Sequence, residues 1–331
     1  MSMNIFEVAP SFFGKTFWPP INERPLHRLP PTQKNVSMRD LIASHKVFFF
    51  DAYGVTRTRT GLYPFAEATL KEVLAQGKRF GVASNTAQDK PEDIQRKWAT
   101  QGINIPLELI FTSGMMLAQY VKNNLFVGSR NVICIGDKTS QWYARQAGLN
   151  PLPATIAMRD YRDVRAVIVC ESPNSKAQRT LMEAAANALF VNKRTDFVLT
   201  TPDRIVPYFH DRTPSGFSIG VESTAKTLAD LTGRQPEIIG KPSPWMFFSL
   251  ERALYDMKIK LREETLFVGD NLFEDGIGAL TAGFHFLLVN TGISGAVKRG
   301  EICAESPIAQ LDQSIIDAGW NPTYELDSIA L

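Results

Sequence analysis

KVFFFD (46–51) is a run of apolar residues closed by an acid, and the residues around it decide the architecture. Its shortness, its lack of alternation and its flanks suit a strand buried on both faces. Downstream, PFAEATLKEVLAQGKR (64–79) spaces its apolar residues helically, with Pro64 near the start and Gly77 at the end. RFGVASN (79–85) is a second buried strand, and PEDIQRKWATQGI (91–103) is a second helix opening on Pro91. Strand and helix in alternation predict an α/β fold with a doubly wound, Rossmann-like parallel sheet covered by helices.

The same grammar continues outward. ELIFTS (108–113) reads as a strand at the sheet edge and GMMLAQYVKNNL (114–125) as a helix. NVICIGD (131–137), RAVIVCE (165–171), DFVLTTPD (196–203), EIIGK (237–241), TLFVGD (265–270) and FHFLLVN (284–290) are further strands. These are too many for one small sheet. The economical arrangement is a core of residues 41–115 and 216–331, with a second α/β unit, 116–215, inserted as a cap. Residues 1–40 are rich in proline and aromatics and have no helical or strand period, so they are expected to form an arm lying on the body through Phe12, Phe13, Phe17 and Trp18.

Composition bounds the function. A chain of 331 residues has room for about two domains. A net charge of +2 gives neither a nucleic-acid footprint nor an acidic tail. Cys134, Cys170 and Cys303 are odd in number and far apart in sequence, without a CxxC pair, which argues against a zinc ribbon or a disulfide framework. His27, His45, His210 and His285 are scattered, which argues against a histidine metal site. No apolar stretch reaches the ~18 residues needed to span a bilayer, and the N-terminus does not read as a signal peptide. The expectation is a cytoplasmic enzyme with no membrane or nucleic-acid partner, and its exposed cap is compatible with a homodimer.

Parallel sheets place ligands beyond the carboxyl ends of their strands. The polar residues ending the apolar runs are Asp51, Ser84 and Asn85, Lys241, and Asp270. A carboxylate, a hydroxyl, a cation and a second carboxylate on one rim are the parts phosphoryl transfer needs: an attacking oxygen, and donors and positive charge for the equatorial oxygens. Two carboxylates also suit Mg²⁺, which takes oxygen ligands. Taken singly, each residue has a local explanation as a turn acid, a helix cap or a loop lysine.

Taken together, DAYGV (51–55), VASN (82–85), GKPSPWM (240–246) and VGDNLFEDG (268–276) resemble, in order, the motifs of the haloacid dehalogenase superfamily. The likeness runs from about residue 45 to 295 and is strongest to the class IIA branch with a C2-type α/β cap, the branch of sugar- and nucleotide-phosphatase-like enzymes that includes the N-acetylglucosamine-operon phosphatase. TTPD (200–203) resembles the TNPD that ends the cap there, and TSGMM (112–116) the segment leading into it. The resemblance implies Asp51 as nucleophile, forming an aspartyl-phosphate. It implies Mg²⁺ held by Asp51, the Tyr53 backbone carbonyl and Asp270, with Asp275 supporting from behind. It implies Ser84 and Lys241 as catalytic partners, and Gly54, Asn85 and Asp203 at the phosphate or substrate. Gly54 lets the chain turn sharply where a Cβ would crowd it.

One position departs from that pattern. Phosphatases of the family carry a second aspartate two residues after the nucleophile, as acid and base for the leaving group; here it is Tyr53. Tyrosine, with a pKa of about 10, is a poor base near neutrality. The principal expectation is a Mg²⁺-dependent phosphatase acting on a small phosphorylated metabolite, a sugar phosphate or nucleotide. The alternatives are a phosphate-binding protein with impaired catalysis and a dehalogenase-like C–X hydrolase; the acids Asp270 and Asp275 favour metal and phosphate. Asp137 after ICIG reads as a structural acid of the cap; Glu171 after VIVC reads as a surface acid, with facing the substrate as the alternative, and His210 and Arg212 as exposed loop residues, with contact to a substrate anion as the alternative.

Overall fold

The computed structural model describes residues 29–331 except 59–60, 125–127, 211–212 and 260–263. The arm contacts expected at Phe12, Phe13, Phe17 and Trp18 lie outside the described residues, as do His27, Arg212 and the side chain of His210. Regular structure begins inside the expected arm. A helix runs Met38–Ser44, and its capping box outweighs the lack of periodicity before it: the Asp40 backbone N–H donates to the Ser37 hydroxyl while the Ser37 N–H donates to the Asp40 carboxylate.

The chain then forms β1 (Val47–Phe50), a short hairpin of β2 (Arg57–Thr58) and β3 (Gly61–Leu62), helix Pro64–Ala75, β4 (Arg79–Ser84), helix Pro91–Ala99 and β5 (Ile110–Thr112). A second unit carries β6 (Asn131–Ile135), β7 (Asn150–Pro151), β8 (Ala166–Val169), β9 (Asp196–Leu199), the hairpin β10 (Ile205–His210) and β11 (Thr213–Ile219), and β12 (Glu237–Ile238). The chain closes with β13 (Thr265–Gly269), β14 (His285–Val289) and β15 (Tyr324–Leu326). Six strands make the core sheet, in the order β15-β14-β13-β1-β4-β5, all parallel. Every residue of β1 and β13 is buried, as expected of strands covered on both faces.

EIIGK was expected in the core sheet. It instead supplies β12, the edge of a second parallel sheet ordered β12-β9-β8-β6-β7, paired through Glu237 to Val198 and Ile238 to Leu199. Helix Glu222–Thr232 packs Ala225, Leu228 and Ala229 into that unit's own core with Val167 and Leu189. Crossing back from β9 through this helix buries its apolar stripe, so the second sheet reaches residue 238 and the expected boundary at 215/216 falls inside it. Among the described residues no helix is long and apolar enough to cross a membrane.

Register positions the chemistry. Phe50 pairs with Val268 on one side and Val82 on the other. Asp51, the Ser84–Asn85 step and Asp270 therefore leave three adjacent strands at one end. The chain order reverses at β1, with β4 laid on one flank and β13 on the other, and such a switch point opens a crevice at the carboxyl edge.

Candidate active site

The Asp51 backbone N–H donates to the Val268 carbonyl at 2.9 Å, extending the ladder one residue past β1 and fixing the Asp51 backbone. The next residues turn back at once. The Thr56 hydroxyl donates to the Ala52 carbonyl at 2.9 Å, and Gly54 adopts φ +83°. A Cβ at Gly54 would lie 2.6 Å from the Asp270 carboxylate, and one at Gly292 would lie 1.7 Å from its Oδ2. Two loops thus close on Asp270, and only glycine leaves room. The Ile293 N–H donates to Asp270 Oδ2 at 2.8 Å, and the Thr291 hydroxyl donates to the Gly54 carbonyl, joining the loops.

Lys241 Nζ reaches Asp51 Oδ1 at 2.5 Å and Asp275 Oδ1 at 2.6 Å, with all three side chains largely buried. Asp275 Oδ2 accepts from the backbone N–H groups of Asp270 and Asn271, each at 3.2 Å. Carboxylate oxygens of Asp51, Asp270 and Asp275 lie within 4.8 Å of one another, and among the described residues they are the one such group with metal-ligating composition. His45 and His285, scattered in sequence, do meet at 2.9 Å, but as a pair at the start of β14 rather than at the acids.

Burial pushes the Asp51 carboxyl up to about 7, against the pull of Lys241. Burial, then Asp275 and Asp51, hold Asp270 well above the usual carboxylate range. Burial works against the charge on Lys241, but Asp275 and Asp51 together outweigh it and push its pKa up. The cluster is short of positive charge, and a divalent cation among three oxygen donors would supply what it lacks. The donor set fits Mg²⁺: hard carboxylate oxygens, with neither sulfur nor imidazole among them.

One cleft is lined by Asp51, Tyr53, Ser84, Asp203, Lys241 and Asp270, with Asn85 and Asp275 also at its wall. Four separate stretches of chain therefore meet as expected. Two of the residues expected at the phosphate or substrate also have structural contacts of their own. Gly54 is not among the lining residues; it makes room for Asp270. Asn85 has its amide engaged by protein: Oδ1 accepts from the Lys241 N–H at 2.8 Å, and Nδ2 donates to the Lys241 carbonyl at 3.1 Å and to Glu274 Oε2 at 2.8 Å. It ties the lysine loop to β4. Asp137 caps helix Lys138–Gln146 through the Ser140 N–H at 2.8 Å, the local role expected of it, and Glu171 accepts from Asn174 and Gln178 within the second unit.

A family model for haloacid dehalogenase-like hydrolases matches residues 48–150, and a HAD-hydrolase-like model matches 238–312. The chain belongs to the haloacid dehalogenase superfamily of hydrolases. It is an enzyme of the capped class IIA branch and is 27% identical to ribonucleotide monophosphatase NagD of Escherichia coli K12 over 74% of this chain and 87% of that protein. It is 26% identical to dihydroxyacetone phosphatase of Corynebacterium glutamicum strain R over 86% of this chain and 89% of that protein. A possible sugar phosphatase of Cytophaga hutchinsonii superposes with a TM-score of 0.72 at 25% identity, over 91% of this chain and 99% of that one.

Sequence reasoning missed Glu274, Ile293 and the hairpin residues Ile205, Val206 and Pro207, which also line the cleft. Glu274 was visible as an acid inside VGDNLFEDG. Gly292 and Ile293 were visible only as a glycine-containing segment matching no known loop. Nothing in the sequence placed the hairpin over the site.

Proposed function

We propose that this hydrolase is a Mg²⁺-dependent phosphomonoesterase of the cytoplasm acting on a small phosphorylated metabolite, a sugar phosphate or nucleotide, through an aspartyl-phosphate at Asp51. The observation that carries it is the meeting of Asp51, Lys241 and the Asp270–Asp275 pair in one cleft. Asp51, Asp270 and the Tyr53 carbonyl would hold the ion, with Asp275 behind them. Bound there, Mg²⁺ would polarise the phosphoryl oxygens and shield the nucleophile from the anion it attacks. Asp51 attacks phosphorus in line; the P–O ester bond breaks and the leaving oxygen takes its proton from solvent water. Lys241 neutralises Asp51 and the phosphoryl group from the buried side, and Ser84 donates to an equatorial oxygen. Water then hydrolyses the acyl phosphate and regenerates Asp51.

The test is a screen of phosphorylated metabolites with Mg²⁺ and with excess chelator, reading inorganic phosphate. Release that requires Mg²⁺ is expected. Equal release in chelator, or chloride release from 2-chloropropionate with no phosphate from any ester, ends the proposal.

Tyr53 gives a second prediction. Tyr53 lines the cleft, with the Arg57 guanidinium 5.4 Å from its ring centroid, so this position carries an aromatic ring where acid–base catalysis needs a carboxyl. General acid–base help is worth about 10²–10⁴-fold. Tyr53→Asp should raise kcat for an alkyl phosphate by roughly tenfold or more, and less for p-nitrophenyl phosphate, whose leaving group needs no proton. An equal or smaller kcat on the alkyl ester, with the fold intact, means another group already serves.

A further inference from the structure

Lys241 Nζ has to stay within reach of two carboxylates at once, 2.5 Å from Asp51 and 2.6 Å from Asp275. It sits on a flexible four-carbon stem, so its aim depends on where its backbone is held. The second sheet does not hold it. β12 ends at Ile238, and the last bond of that ladder, from the Ile239 N–H to the Leu199 carbonyl, falls two residues before Lys241.

What grips Lys241 is a single amide. The Asn85 side chain spans both of its backbone polar groups: Oδ1 accepts from the Lys241 N–H at 2.8 Å, and Nδ2 donates to the Lys241 carbonyl at 3.1 Å. The orientation of the amide is set by the Lys241 N–H, which can only donate; a flipped amide would face it with a second donor. Nδ2 also donates to Glu274 Oε2 at 2.8 Å. A carboxamide has two N–H donors, and both are spent on protein. None is left for the equatorial oxygens of a phosphoryl group, which need donors.

The chain leaves room for this contact and no more. A Cβ at Gly240 would lie 2.6 Å from Asn85 Oδ1 and 2.2 Å from the Thr200 carbonyl, so glycine before Lys241 lets the amide lie against the backbone. Asn85 in turn has a fixed base. Ser84 closes β4 in register with Thr112, and the Thr86 carbonyl accepts from the Gly114 N–H at 3.1 Å. Helix Lys138–Gln146 of the second unit grips the loop beyond: the Ser140 hydroxyl donates to the Ala87 carbonyl at 3.1 Å, and the Tyr143 hydroxyl to the Asp89 carbonyl at 2.7 Å. A side chain locked at its root can fix the geometry of the residue it holds.

We propose that Asn85 is a positioning residue, which sets where the Lys241 ammonium meets Asp51 and the phosphoryl group and does not itself bind phosphate. This rests on the phosphatase reading of the same site.

The experiment uses the full chain with Mg²⁺, p-nitrophenyl phosphate as substrate and orthovanadate as the bound probe. Misplacing a reacting group by about 1 Å can cost about 10²-fold, so Asn85→Ala should lower kcat by roughly 10–10²-fold and leave KM within about threefold. It should weaken vanadate about tenfold in the wild-type background and less than about twofold in a Lys241→Met background, because residues that act as a unit are not additive. An equal loss in both backgrounds means Asn85 touches the oxyanion itself, and overturns the inference. So does an Asn85→Ala protein that melts cooperatively with wild-type kcat and vanadate affinity. If Asn85→Ala does not melt cooperatively, the wild type decides: in its crystals with Mg²⁺ and vanadate, Asn85 Nδ2 is expected on the Lys241 carbonyl, and Nδ2 on a vanadate oxygen overturns the inference. Lysine-dependent loss of vanadate with no nitrophenol released by the wild type overturns the phosphatase reading and leaves the positioning standing. No vanadate binding by the wild type overturns both.

Discussion

Asp51→Asn should abolish turnover while leaving the fold in place. An amide oxygen at this position is a far weaker nucleophile than a carboxylate, and its acyl phosphate has no route of formation. Removing a catalytic nucleophile costs on the order of 10⁴–10⁶-fold in kcat. The stability effect is expected to be small. Burial already pushes the Asp51 carboxyl up to about 7, so the neutral amide suits the site nearly as well as the charge. The asparagine carbonyl can still accept from Lys241, which keeps Asp275 as its anionic partner at 2.6 Å. The measurement is phosphate release by purified variant and wild type, with thermal melting alongside and trapping by beryllium fluoride and Mg²⁺. Wild type should form the trapped complex and melt higher with it; the variant should melt as apo wild type does and show no such shift. Wild-type turnover in a well-folded Asp51→Asn protein would remove Asp51 from the chemistry.

The parts of this site that the sequence disclosed are those controlled by local rules. A short apolar run ending in an acid implies a parallel strand with that acid at its carboxyl edge, so Asp51 and Asp270 were placed by pattern alone. Lys241 was placed at the site for a partly mistaken reason. Its preceding strand belongs to the second sheet, because two residues of β12 pair with β9 rather than with β13 or β14. So short a strand carries no periodicity that names its neighbour, and its place is decided by helix Glu222–Thr232 burying its apolar face. Asn85 illustrates a different limit of local patterns. Its position beside Ser84 was right, but its side-chain role depends on Lys241 and Glu274, more than 150 positions away, and no local pattern encodes those partners. The hairpin β10–β11 was invisible because Pro207 and Pro214 interrupt its strands, and prolines are tolerated there only because the two strands form a sheet of their own.

Lys241→Met should destabilise the protein in a manner that depends on both pH and Mg²⁺. Methionine keeps the hydrocarbon stem and approximately its volume, so packing beside Phe267 is largely conserved. The ammonium is what disappears, leaving Asp51, Asp270 and Asp275 with oxygens within 4.8 Å of one another and no side-chain cation between them. Breaking a buried ion pair by removing one partner costs about 3–5 kcal/mol, because the remaining charge stays desolvated. Here the carboxyls have a remedy: they take up protons. Asp51 and Asp270 already sit above their usual range with Lys241 present, and without it they rise further. A carboxyl whose folded pKa lies above its unfolded value favours the fold at low pH and loses that contribution as pH climbs through the folded pKa. The deficit of Lys241→Met relative to wild type should therefore be modest near pH 5 and grow towards pH 8 in urea denaturation without divalent ion. Mg²⁺ should shrink it at pH 8, since two positive charges among those oxygens replace the one removed. Turnover should stay low even with Mg²⁺, because the ammonium also faces the phosphoryl group. A deficit of the same size at pH 5 and pH 8, unchanged by Mg²⁺, would make Lys241 a packing residue and leave the cleft without the cation that phosphoryl transfer at Asp51 requires.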